Sequence, residues 1–129
     1  MDYGVALIGR TWLVIGLVAG TAISLIGLLA GMWWLTFVAG LLIGLALARA
    51  RVAVPAGALA GLLGWALPLL ADQVRYGIGP AAASLAAIMG FTGQSAIPLV
   101  LTCVVGLLLG LTGAWLGTAV RGVAAPATR

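Results

Sequence analysis

Any chemistry in this chain must come from very few side chains. Its 129 residues hold two acids, six basic residues and no histidine. The acids are Asp2 and Asp72, every basic residue is arginine, and neither glutamate nor lysine occurs. Acid–base catalysis by paired carboxylates needs two carboxyls at one site. Asp2 and Asp72 fall on opposite sides of the topology derived below. Without histidine, a His-ligated metal or haem is excluded, as is a Ser/His or Cys/His nucleophile pair. The glycines follow helical spacing with no lysine among them, so no phosphate-cradling loop is present. Cys103, the one cysteine, lies in an apolar run and reads as a small buried hydrophobe. The side-chain inventory thus points to a non-enzyme, with no metal and no cofactor.

A few other residues remain as candidates. Asp72 and Arg75 stand i,i+3 at the end of an apolar run, on one helix face. They read either as a headgroup-level pair that ends a helix or as a pair at an outer mouth. Gln94 and Ser95 belong to the most polar internal stretch, Phe91–Ser95, just before Pro98. Ser95 is expected to cap the helix that follows, or to join Gln94 in a loop site. The hydroxyls of Thr21, Ser24, Thr36, Thr102, Thr112 and Thr118 lie within apolar runs and suit backbone or interhelical bonding, or the lining of a pore. Pro68 is expected to kink its helix near Gly64. Trp65, one turn earlier, fills the gap so opened or faces lipid, a pigment or a quinone. Trp115 raises the same choice.

The elements that must position these residues are membrane spans. The chain is 64% hydrophobic and 6% charged, with a mean hydropathy of +1.30. Soluble domains carry about 25% charged residues. Spans are expected over residues 12–31, 32–48, 52–71 and 97–120, each apolar enough to cross a hydrocarbon core of about 30 Å. Between the last two lies a more polar loop, 72–96. Within it, Pro80 and Gly90 bracket a short helix at 80–89 that is interfacial or re-entrant. With four spans, Arg10, Arg49, Arg51, Arg121 and Arg129 share one side and only Arg75 lies on the other. A fifth span would divide the arginines evenly. The positive-inside rule therefore favours four spans, with both termini cytoplasmic. No cleavage site follows the first run, which reads as a retained helix. The arginines sit singly at segment ends, so the net charge of +4 reads as a topology signal and not as a nucleic-acid footprint.

The spans carry ladders of small residues. Gly16, Gly20, Ser24, Gly27 and Gly31 step by 4, 4, 3 and 4, and so do Thr102, Gly106, Gly110, Gly113 and Gly117. Shorter ladders run through Thr36, Gly40 and Gly44, and through Gly57, Gly61 and Gly64. Such steps keep small residues on one helix face, where a second backbone approaches closely.

The expected fold is therefore an all-α, antiparallel four-helix membrane bundle forming a single domain, with glycine faces buried and Leu, Val and Ile facing lipid. The expected function is a non-catalytic membrane subunit or scaffold in a prokaryotic inner membrane, partnered by lipid, by other membrane subunits or by itself. The alternative is a small oligomeric channel or transporter. Fluoride channels and small multidrug transporters are similar in size and span number. The chain lacks the intramembrane Glu of the second group, and the Asn and phenylalanine-rich track of the first.

Overall fold

The computed structural model describes residues 2–47 and 49–125. Arg129, Ala48 and the side chain of Asp2, used above for topology, span bounds and acid placement, lie outside the described residues. Five helices follow in order: α1 (Asp2–Leu29), α2 (Leu35–Ala46), α3 (Ala50–Tyr76), α4 (Gly79–Ile88) and α5 (Ala96–Ala124). Three of them, α1, α3 and α5, are long and apolar enough to cross a membrane.

The helix bounds differ from the sequence expectation in instructive ways. α1 begins at Asp2, ten residues before the first uncharged run, because Arg10 interrupts an apolar stretch but not a helix. α1 ends in a Schellman turn. Gly31 takes φ +77, its N–H donates to Leu28 O at 3.0 Å, and Met32 N–H donates to Gly27 O at 2.7 Å. A left-handed residue at this point favours glycine, so Gly31 terminates the helix rather than extending its face. The turn takes up the residues before Leu35, and Leu47 is extended with φ −91 and ψ 120. That leaves α2 with 12 residues, about 18 Å of helix, where a 17-residue span was expected. α3 and α5 run past their expected bounds at both ends. α3 continues unbroken through Pro55 and Pro68. α4 has a proline in its first turn and packs on α5 alone among the extensive contacts, burying Ala82 and Ala86.

Packing is centred on α2 and α3. These two touch each other, and each also packs against α1 and against α5. The two longest helices, α1 and α5, share no comparable interface. Opposed residues give the directions. Gly20 and Ser24 of α1 face Ala60 and Gly64 of α3 in ascending order, so these helices run parallel. Gly40 and Gly44 face Gly110 and Ala114, so α2 and α5 are parallel as well. The interior is made of small residues, including Ala39, Ala53, Ala56, Ala60 and Ala114, and Ile43 is the largest apolar side chain buried among the described residues. Val14, Ile15, Val18, Ile26, Leu70 and Val100 point outward. In water that arrangement would expose the apolar surface that folding normally hides. In a bilayer it is the expected one.

Four arginines meet at one end. Arg121 donates from one guanidinium nitrogen to Leu45 O at 2.8 Å and to Ala46 O at 3.0 Å. It thereby supplies the basic group that α2 lacks in its own last turn. Arg121→Gln is expected to fray this turn at a cost of about 1 kcal/mol. Faster amide hydrogen exchange at Leu47, whose N–H bonds Ile43 O, would report it, with α3 unchanged.

Candidate functional site

Two arrangements place polar or close-packed groups where function would arise. The first is the glycine seam of α5. Gly110 and Gly57 oppose each other so closely that a Cβ on either would strike the other's carbonyl oxygen, and Gly61 and Gly106 form a second reciprocal pair. Each pair thus sets Cα hydrogens against carbonyl oxygens, a weak attraction that needs glycine on both sides. One turn further on, Gly113 and Gly117 face the carbonyls of Phe37 and Leu41 on α2, while Gly40 and Gly44 face those of Gly110 and Ala114. One stripe on α5 therefore serves two partner helices. Thr102, the first rung of the same ladder, turns its hydroxyl back to Pro98 O at 2.8 Å.

The α1 ladder is used differently. Gly20 makes room for the Ile43 side chain, Gly27 for Leu35, and Ser24 fits against Gly64. A Cβ at Gly16 would meet nothing within 4 Å.

The second arrangement is a polar knot joining three helices. Ser24 Oγ of α1 and Thr36 Oγ1 of α2 are 2.8 Å apart, and both residues are fully buried. Trp65 Nε1 of α3 donates to Thr36 Oγ1, also at 2.8 Å. The sequence shapes this knot through its glycines. Gly64 leaves the space that Ser24 occupies, and Gly106 leaves the space against which the Trp65 ring lies. None of the three groups titrates near neutrality, so the knot holds helices together and offers no acid–base pair. Periodicity alone marks Ser24 and Thr36 as rungs of small-residue faces, leaves Trp65 open between a packing gap and lipid, and does not pair them. The one signal in the sequence is a large ring beside Gly64 amid small residues.

The remaining hydroxyls are bonded locally or lack a partner. Thr112 donates to Leu108 O and Thr118 to Trp115 O, while the buried Thr21 Oγ1 has no partner. Trp115 is exposed. Asp72, Arg75 and Gln94 are exposed, and Ser95 is half-buried. Ser95 stands at the N-cap of α5 but makes no capping bond, contrary to the sequence expectation. Its backbone is already helical (φ −61, ψ −19), and a capping hydroxyl reaches its amides from the extended region. Gln73, not singled out by its sequence position, accepts from Ile78 N–H at 3.0 Å and so ties the end of α3 to the start of α4. Gln73 and Ser95 share an otherwise apolar groove between α3 and α5 with Leu69, Leu99 and Cys103. Among the described residues no group of three or more His, Cys, Asp or Glu gathers to hold a metal.

Scans against family models, curated proteins and solved structures found no match to this chain. The functional reading rests on the geometry.

Proposed function

We propose that this protein is a non-catalytic integral membrane subunit or scaffold that binds a partner helix through α1 and α2. It crosses the bilayer four times, with the arginine end and both termini cytoplasmic, in a prokaryotic inner membrane. Four crossings are supported by the parallel run of α1 and α3. The chain must return the full height between them, and α2 with its flanking turns is the only segment available. The orientation is supported by Arg10, Arg49, Arg51 and Arg121 lying at one end, opposite Arg75.

The observation that carries the partner reading is the unequal use of the small-residue faces. Those of α2, α3 and α5 are filled, by one another and, at Gly64 and Thr36, by Ser24 of α1. The α1 face is left partly open at Gly16, in a shallow groove that small residues (Ala19, Gly20, Ala39, Ala46) line together with Ile23, Leu42 and Ile43. A close-packing helix from another subunit or a second copy fits such a surface. An oligomeric channel would need a shared polar path, whereas Thr112 and Thr118 turn their hydroxyls to their own helices.

Gly16→Leu separates the partner surface from the fold. The variant is expected to reach wild-type amounts and thermal stability while losing the larger particle seen on gentle solubilisation. Particle mass by light scattering with detergent subtraction measures this. A wild-type particle that is a lone chain, or a G16L particle of unchanged mass, would overturn the reading. Protein-dependent flux from liposomes would favour the channel instead.

A further inference from the structure

We infer that the cleft at the arginine end, between the first turns of α1 and the α2–α3 junction, binds the headgroup of an anionic phospholipid. The cleft measures about 650 Å³ and includes Arg10, Arg49, Val5, Leu13, Leu47 and Val52 in its lining. Its lining joins two chemistries. Among the described residues, the arginines are the only charged groups in its lining. The remaining side chains are aliphatic, as an acyl chain requires.

Helix register places both arginines at one depth. α1 and α3 run parallel with Gly20 opposite Ala60 and Ser24 opposite Gly64, an offset of 40. Arg10 is therefore level with Ala50, beside Arg49. Both arginines are exposed, so their guanidinium groups remain available to a phosphate, which they match with several donors each. Arg49 is also the N-cap of α3, and no side chain caps that helix, so its positive end adds to the local field. Arg121 is engaged with α2, and Arg51 lines an adjoining hollow with Leu13 and Val52. A zwitterionic headgroup would bring its ammonium into this field, whereas an anionic one brings only the phosphate. Basic pockets between spans on the cytoplasmic side recognise anionic lipids by this logic. The inference rests on the membrane reading and is independent of the partner surface at Gly16.

The test is native mass spectrometry of the full-length protein titrated in neutral detergent with phosphatidylglycerol or phosphatidylcholine of matched chains. Wild type should retain phosphatidylglycerol on the order of tenfold better. Arg10→Gln/Arg49→Gln should bring the two lipids within about twofold, while Arg75→Gln, at the far end, should leave the preference intact. Arg10→Lys/Arg49→Lys, which keeps the charge, should retain most of the preference and serves if the glutamine variant does not fold. Millimolar inorganic phosphate should not displace the lipid, since it makes no contact with the aliphatic side chains. Equal retention of both lipids by wild type would overturn the inference, as would an unchanged preference in the glutamine variant. Full displacement by phosphate would reduce the site to an anion site. Displacement by an acidic peptide alone would assign it to a protein partner.

Discussion

Gly110→Leu is expected to abolish accumulation of folded protein. Gly110 is pressed by the backbones of two helices. A Cβ there would collide with Gly57 O and lie 3.1 Å from Gly61 Cα, while Gly40 of α2 approaches the Gly110 carbonyl itself. These neighbours are backbone atoms, so no side chain can swing aside. α3 would have to move bodily away from α5, which also opens the Gly61–Gly106 pair one turn along. Overpacking a core that can adjust costs about 1–3 kcal/mol, and here the adjustment is blocked, so the cost exceeds that range. Gly110→Ala should already lower thermal stability, since one methyl reaches the carbonyl. Gly122→Leu is the control on the same helix, because a Cβ there meets nothing within 4 Å. The readout is the monodisperse fraction on size exclusion, normalised to total expressed protein. A wild-type yield of the Gly110→Leu variant would show that α5 does not pack on α3 as described.

That contrast between Gly110 and Gly122 shows what the sequence could and could not convey. Spacing marks Gly106, Gly110, Gly113 and Gly117 as one face, because 3.6-residue periodicity is a property of the helix itself. It does not say which helix lies opposite, because that depends on contacts far along the chain. Two matching ladders, on α1 and α5, suggest equivalent roles. The structure assigns α5 backbone contacts on two sides, and assigns α1 the reception of side chains such as Ile43 and Leu35. The same limit explains Gly31, which continues the ladder numerically but falls past the helix end. Apolar length located the long helices well. It overestimated α2, because Trp33 and Trp34 are as apolar in a turn as in a helix. Arg121 was legible as a charge at a segment end. Its bonds to Leu45 and Ala46 were not, since they join residues 75 and 76 positions apart.

Thr36→Val should have the largest effect among substitutions that add no bulk. Valine keeps the shape and removes one oxygen, but that oxygen serves both neighbours. Ser24 has a remedy, because a helical serine can rotate its hydroxyl to a carbonyl of its own preceding turn. Trp65 has none: the indole N–H is only a donor, and the ring is held against Gly106. The variant therefore leaves an N–H unpaired in an apolar interior. Such a loss costs about 1–3 kcal/mol in proteins generally, and interhelical bonds within membranes average about 0.6 kcal/mol with an upper range near 2. The value expected here lies toward the upper end of the membrane range, because the donor is rigid and the site is closed by α1. Ser24→Ala should cost clearly less, since Thr36 then still accepts from Trp65 and can turn its own hydroxyl to its helix. The double variant should cost little more than Thr36→Val alone, the non-additivity of a shared partner. Unfolding by SDS titration from mild detergent, followed by circular dichroism, gives the three values. Equal costs for Ser24→Ala and Thr36→Val, or strict additivity, would mean that Thr36 is not the centre of the knot. A small cost for all three would leave the union of α1, α2 and α3 to their glycine and alanine contacts alone.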